Sequence, residues 1–171
     1  VHPGTQKGKK VIARTVLKRE ALATITCTTL EKLATFITRY KNLLALHGGY
    51  SLNIHAANGM AAMFQALGQD MAYIGECSQA IVDCHFVGPD SLEVSVTLPT
   101  LIIGTVGGGT GLPAFRTTLS MMDCYGSGKV KKLAEIMGAV ILAGEVGCAA
   151  AQCAHAFVQA HETMGKNRPQ D

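Results

Sequence analysis

Three residues capable of acid/base chemistry stand at the ends of predicted helices: His55, Asp70 and His161. His55 opens a helix, where the positive end of the helix dipole favours a neutral imidazole, and Asp70 follows Gly68-Gln69 at the end of the same helix. His161 lies at the end of a long helix, where the negative end of the dipole favours the imidazolium form. Side chains in different protonation states can exchange protons with a substrate. Taken singly, each of the three is more typical of a structural or surface residue than of a catalytic one.

A glycine run, Gly107–Gly109, with Gly104 before it, lies between an apolar strand and a helix. Glycine lets a backbone approach a ligand or another backbone closely, and it leaves amide N–H groups open to an anion. The run lacks the Gly-x-Gly-x-x-Gly pattern of dinucleotide-binding βαβ units and the Gly-Lys-Ser/Thr end of a P-loop. A tight connection and an anion-binding loop are therefore both open.

The elements that must position these residues combine strands and helices. Thr28-x-x-Glu31 resembles a capping box at the start of one helix, and Gly88–Ser91 forms a turn between two strands, so a hairpin is expected. The hydrophobic pattern predicts an α+β fold, with a long final helix packed by other helices and a small antiparallel sheet. The predicted strands are Val11–Leu17, Gln79–Val87 and Leu92–Leu98, and the helices are about Leu30–Asn42, Ile54–Leu67, Pro113–Met122 and Val130–Thr163.

Composition favours one globular domain over residues 1–171. The chain is 48% hydrophobic and 16% charged, and its net charge of +3 argues against a nucleic-acid surface. Six cysteines without a Cys-x-x-Cys pair indicate a reducing, cytoplasmic compartment, and the absence of clustered ligands predicts no metal site. The most apolar segment, 133–161, carries Glu135 and Glu145, so we expect a buried helix and no membrane segment. The start of the chain suggests a truncated sequence.

The segment Ile103-Gly-Thr-Val-Gly-Gly-Gly-Thr110 resembles a signature of the hydroxymethylglutaryl-CoA (HMG-CoA) reductase family. The spacings from His55 to Asp70 and from Glu145 to His161 also match that family. Further matches follow in the family's order, namely Gly8–Ala13, Thr28-Thr29, Lys41–Leu43, Asn53-x-His-Ala-Ala-Asn58, Gly68–Asp70, Leu98-Pro99 and Ala143–Glu145.

The resemblance implies the substrate-binding large domain of this family and roles for particular residues. Asp70 would tune proton supply to the substrate carbonyl oxygen, and His161 would protonate the departing CoA thiolate. His55 and Asn58 would share one face of the substrate site, and Lys41 would contact the carboxylate of the acyl group. Gly107, Gly108 and Gly109 would bind the cofactor.

The activity implied is the reduction of HMG-CoA to mevalonate by two hydride transfers from NADPH or NADH, with coenzyme A as part of the substrate and a homodimer or higher oligomer as the assembly. In the family, the catalytic lysine and glutamate and the small nucleotide-binding domain precede the matched segment, so we expect this chain alone to be inactive. Two alternatives stay open. One is an inactive homologue that serves as a dimerising or CoA-binding module, and the other is a phosphate-binding module built on the glycine run.

Overall fold

A three-stranded antiparallel sheet forms one layer of the protein. The computed structural model describes residues 8–156, 158 and 162–163. The strands are β1 (Lys9–Lys18), β2 (Ile81–Gly88) and β3 (Ser91–Leu101), and β3 lies between the other two. β2 and β3 form the expected hairpin around Pro89-Asp90. Successive side chains of a strand point to opposite faces, so alternate β3 residues such as Val94 and Val96 are buried against the helices.

The second layer consists of helices. Helices α1 (Arg19–Thr26) and α2 (Leu30–Leu46) follow β1. Helix α3 (Ala56–Leu67) and the short α4 (Ile74–Cys77) precede the hairpin, and α5 (Pro113–Met121) and α6 (Val130–Cys153) follow it. Two short 3₁₀ turns, at Met71–Tyr73 and Gly108–Gly111, lie beside the candidate site.

Helix α6 is the centre of the core. Its buried residues include Leu133, Met137 and Ile141, and it packs on β1, β3, α2 and α3. At Gly138 a methyl group would lie 2.8 Å from Cγ1 of Val11, so glycine permits the close approach of helix and strand. The α+β prediction, with a long helix packed by helices and a small sheet, is confirmed.

The prediction of one continuous helix from Val130 to Thr163 is wrong. α6 ends at Cys153, and Ala154 and His155 form a turn before helical backbone resumes at residue 156. The N–H of His155 donates to Gln152 O at 3.1 Å, and His155 has a φ of +55°. The residue that takes the left-handed conformation at this break is a histidine, whereas helices commonly end on a glycine. The sequence therefore carries no glycine or proline here that would signal the break.

The region between β1 and α2 also differs from expectation. Helix α1 begins directly after β1 without a side-chain cap, so it carries no start signal. Helix α2 is capped by Thr29, whose hydroxyl accepts from the N–H of Lys32 at 3.3 Å. Glu31 binds Arg19 at 2.7 Å. The capping box predicted at Thr28 is therefore wrong by one residue.

Helix α6 is also long and apolar enough to span a membrane by length and composition alone. Half of its most apolar window is buried inside the protein. Glu145 within it is 1% exposed and receives two hydrogen bonds from the α3 segment. These contacts agree with the expected role of α6 as a core helix.

Candidate functional site

The side chain of Gln69 joins the turn after α3 to the loop after β3. Its Nε2 donates to Gly104 O at 3.0 Å and to Leu67 O at 3.1 Å. Its Oε1 accepts from the N–H of Gly104 at 2.8 Å. Because Gln69 is buried, these bonds form away from competing water and hold the two segments in register.

Gly68 and Gly109 allow the same two segments to touch. Gly68 ends α3 with a φ of +62°, and a methyl group on it would lie 2.5 Å from the ring of Phe115. A methyl group on Gly109 would lie 2.6 Å from the carbonyl oxygen of Gly68. Only glycine fits at either position, so this part of the glycine run serves backbone packing.

Asp70 and the remainder of the glycine run line one cavity of about 260 Å³. The exposed Asp70 carboxylate accepts from the N–H of Ala72 at 3.0 Å and so caps the following 3₁₀ turn. Gly107 and Gly108 have φ of +76° and +55°, and methyl groups on either would project into open space. The structure therefore brings Asp70 and Gly107–Gly109, which are distant in sequence, to one cavity.

The size of this cavity limits what it can hold. Pockets for drug-sized ligands typically measure about 300–1,000 Å³. A space of about 260 Å³ can accept a phosphate or a single ring, and the rest of a nicotinamide dinucleotide must lie outside it. The donors available from the glycine run are main-chain N–H groups, which suit an anionic ligand.

His55 lies at the other end of α3. Its main-chain N–H donates to Oε1 of Glu145 at 2.7 Å, and the N–H of Ile54 donates to Oε2 at 2.8 Å. The Glu145 carboxylate thus occupies the start of α3, where free amides and the helix dipole stabilise negative charge. The His55 ring packs against α6 at Gly144.

Asn58 is exposed, one turn into α3 from His55. The neighbouring Asn53 instead has a structural role, because its Oδ1 accepts from the N–H of Ala56 at 3.1 Å and its Nδ2 donates to Ala80 O at 3.1 Å. It caps α3 and attaches it to the start of β2.

Lys41 lies on α2 and forms an ion pair with Asp83 on β2, with Nζ 2.6 Å from Oδ1. Burial of the Asp83 carboxylate raises its pKa, but the hydrogen bonds from Lys41 and from the Cys84 amide outweigh this effect. The net pKa of Asp83 is lowered. An acyl carboxylate at Lys41 would have to compete with this internal partner.

The predicted site residues fall into separate groups. His55 and Asp70 flank the 12 residues of α3, which span roughly 18 Å at 1.5 Å per residue. Asp70 shares its cavity with the glycine run, whereas Lys41 is held at the α2–β2 contact. His161 lies outside the described residues.

Gln69 and Glu145 received no role from the sequence. The available signal for Glu145 was an acid in an apolar stretch of helix, since a fully buried carboxylate is rare unless it is paired. Gln69 gave no such signal, because its partners are main-chain groups 35 residues away.

Nearly the whole chain is similar in sequence to known proteins. A sequence model of the hydroxymethylglutaryl-coenzyme A reductase family matches residues 4–166. The 3-hydroxy-3-methylglutaryl-coenzyme A reductase of Pyrococcus abyssi is 39% identical over 167 residues, which cover 94% of this chain and 41% of that protein. That of Aeropyrum pernix is 40% identical, with 94% and 39% covered. Reductase 1 of Oryza sativa subsp. japonica is 35% identical, with 91% and 31% covered.

The chain spans about two fifths of the length of these archaeal relatives. Both the family model and the relatives cover the glycine run and the segments that contain His55, Asp70 and Glu145. The chain therefore belongs to the hydroxymethylglutaryl-coenzyme A reductase family.

Proposed function

We propose that the protein containing this chain reduces HMG-CoA to mevalonate with NADPH or NADH, and that residues 1–171 form part of its substrate-binding large domain. The observation that carries the proposal is the Gln69 link, which places Asp70 on the same cavity as Gly107–Gly109 in a member of this family. That arrangement sets a carboxylate beside a loop whose main-chain N–H groups suit an anion.

The proposed reaction consumes two hydrides and two protons. The first hydride adds to the thioester carbonyl carbon, and coenzyme A leaves as its thiol to give an aldehyde. The second hydride reduces that aldehyde to the primary alcohol of mevalonate. NADPH or NADH supplies the hydrides when bound.

Asp70 is assigned to the carbonyl oxygen. Its exposed carboxylate is held by the Ala72 amide, so it is fixed in direction while open to a ligand. With a lysine and a glutamate from elsewhere in the protein, it would control proton delivery as the oxygen gains charge. His161 is assigned to the sulfur, because an imidazolium can protonate a departing thiolate.

His55, Asn58 and Lys41 are assigned to binding the acyl group. Lys41 would exchange Asp83 for the acyl carboxylate, which replaces one carboxylate partner by another. Gly107 and Gly108 would take an anionic or ring portion of the cofactor, since their Cβ positions are open.

A homodimer or higher oligomer is part of the proposal. Within one copy, His55 and Asp70 stand at opposite ends of α3, and further groups of the site would come from a second copy. A second copy can supply them by symmetry. A cytoplasmic location is proposed because all six cysteines are free thiols, which suits a reducing compartment.

The test uses the protein expressed from the complete reading frame that contains residues 1–171. We expect HMG-CoA to drive consumption of NADPH or NADH, with mevalonate and free CoA thiol as products. In parallel, calorimetry measures HMG-CoA binding to the wild type and to Asp70→Ala. Binding without any nicotinamide oxidation would refute the enzymatic proposal and favour the inactive CoA-binding homologue.

A further inference from the structure

The imidazole of His55 lies against Gly59, Gly144 and Cys148, and Glu145 binds the main-chain N–H of the same histidine; these four residues of α3 and α6 are here called the His55 cluster. Glu145 is 1% exposed, and its two carboxylate oxygens accept from the consecutive amides of Ile54 and His55. This double contact fixes the backbone from which the ring projects.

The ring itself lies where α3 approaches α6. A methyl group on Gly144 would overlap Cδ2 and Nε2 of His55, and one on Gly59 would lie 2.9 Å from Nε2. With the backbone held, the ring can give way only by rotating about its two side-chain torsions. Glycine at 59 and 144 therefore permits the observed orientation, which a side chain at either position would displace.

The remaining ring nitrogen contacts a thiol. Sγ of Cys148 lies 3.7 Å from Nδ1 of His55. Burial, and to a lesser extent the charge of Glu145, raises the pKa of the Cys148 thiol, so it keeps its proton at neutral pH. Two arrangements fit this contact: the thiol donates its S–H to an Nδ1 that carries no proton, or its sulfur accepts from an Nδ1–H.

We propose that α6 selects one orientation and one tautomer of the His55 imidazole. Cys148 donates its S–H to Nδ1, and the ring proton of the neutral form therefore resides on Nε2. The members of the His55 cluster act as positioning residues, and their effect on turnover rests on the proposed function of His55 in the substrate site. An Nε2–H donor suits a carbonyl or hydroxyl oxygen of an acyl substrate.

Nuclear magnetic resonance of the complete protein, with isotope-labelled histidine, tests the tautomer without a measurement of activity. Long-range correlations between ring protons and ring nitrogens distinguish the two neutral tautomers, and His55→Gln identifies the signals of His55. We expect the Nε2–H tautomer in the wild type and in Cys124→Ala, which removes another buried thiol. We expect Cys148→Ala to lose this preference. A wild-type Nδ1–H tautomer, or an unchanged tautomer in Cys148→Ala, would overturn the proposal.

A pair of glycine variants tests the orientation. Gly144→Ala should shift the His55 ring signals, whereas Gly147→Ala, on the same helix with open space at its Cβ, should leave them in place. In the complete protein, Gly144→Ala should lower kcat/KM for HMG-CoA on the order of a hundredfold, because about 1 Å of misplacement can cost that much. Unchanged ring signals in a folded Gly144→Ala would refute the orientation argument.

The two proposals fail in different ways. If the complete protein oxidises no NADPH or NADH with HMG-CoA, the proposed function is refuted, and the tautomer experiment still decides the His55 cluster. If the enzyme is active but Cys148→Ala retains the wild-type tautomer, the proposed function stands and the positioning role of Cys148 is refuted.

Discussion

Gln69 connects the candidate site to the fold through one amide group. Its three hydrogen bonds, all to main-chain atoms of Leu67 and Gly104, tie the end of α3 to the loop that leads into the glycine run. The position of Asp70 relative to Gly107–Gly109 therefore depends on Gln69, which has no catalytic role in the proposed reaction.

Replacing Gln69 by alanine should destabilise the protein. The N–H and C=O of the partly buried Gly104 would lose their partners, and leaving a buried group unpaired costs about 1–3 kcal/mol. Urea unfolding measures the change in the free energy of unfolding. Gln79→Ala, the same substitution at an exposed position, should have almost no effect. Equal losses in both variants would refute the structural role of the link.

Replacing Asp70 by asparagine should impair catalysis and leave stability nearly unchanged. The side chain is exposed, and asparagine can still accept from the Ala72 amide, so the turn keeps its cap. Loss of a group that controls proton transfer typically lowers kcat by roughly 10²–10⁴-fold. Steady-state kinetics of the complete protein, with Glu20→Gln as an exposed-carboxylate control, measures it. A wild-type kcat would remove Asp70 from the mechanism.

Helix α3 is anchored differently at its two ends. The Glu145 carboxylate binds the amides at its start, and Gly68 ends it in a left-handed conformation against Phe115. Both ends thus meet other elements at close range. The helix acts as a rigid spacer between His55 and the Asp70 cavity.

Two glycines of α6 should respond in opposite directions to alanine. Gly147 is exposed and has open space at its Cβ, so Gly147→Ala should stabilise the protein by about 0.5–1 kcal/mol through helix propensity. Gly144→Ala should destabilise it, because the methyl group overlaps the His55 ring. Thermal and urea unfolding of the two variants provide the comparison. A stabilising Gly144→Ala would contradict the observed packing.

Arg19, at the start of α1, forms ion pairs with α2 and with the hairpin. The stability that these ion pairs contribute should depend on pH. Nη2 lies 2.7 Å from Glu31, and Nε lies 2.8 Å from Asp90. The hydrogen bond from Arg19, with smaller effects of the backbone and of Thr29, lowers the pKa of Glu31 from 4.5 to about 2. A depressed carboxyl pKa stabilises the folded state above the unfolded pKa, and the effect is lost as the pH falls through the folded value.

Glu31→Gln should therefore reduce stability at neutral pH and converge with the wild type as the pH falls from about 4.5 toward 2. Urea unfolding at a series of pH values measures the difference between the two proteins. Glu20→Gln serves as a control from the neighbouring exposed surface. The pair is exposed, so the effect should be modest and should decrease with added salt. A difference that does not depend on pH would contradict this account.

At the scale of the whole molecule, one copy of the chain holds its candidate residues in separate places. The Asp70 cavity lies at one end of α3 and His55 at the other, while Lys41 is paired with Asp83. A site assembled from two copies would reunite such groups, and closed dimers are the commonest symmetric assembly.

Co-expression of two inactive variants tests this assembly. If each site takes Asp70 from one copy and His55 from the other, a mixed dimer of Asp70→Asn and His55→Ala contains one unaltered site. Random pairing should then restore about a quarter of the wild-type activity. Each variant expressed alone is the control. Mixtures that stay inactive although the mixed dimer forms would show that the two residues serve the same site from one chain.

The sequence by itself determined the family, the α+β class, the hairpin and most helix positions. These follow from local signals: hydrophobic period, the Gly88–Ser91 turn, the glycine run and its spacing to His55 and Asp70. The break at Ala154-His155 was not predicted, because nothing in the sequence indicates that His155 adopts a left-handed conformation.

Only the tertiary structure decided which of these residues meet. Gln69 binds Gly104, Glu145 binds the start of α3, and Cys148 touches His55 across 93 positions of sequence. Such contacts depend on how helices and loops pack, and hydrophobic pattern constrains the buried face of an element without choosing its partner atoms. The glycine run illustrates the difference. The sequence alone identifies it as a glycine-rich segment, but only the packing of the elements shows that it lies beside Asp70.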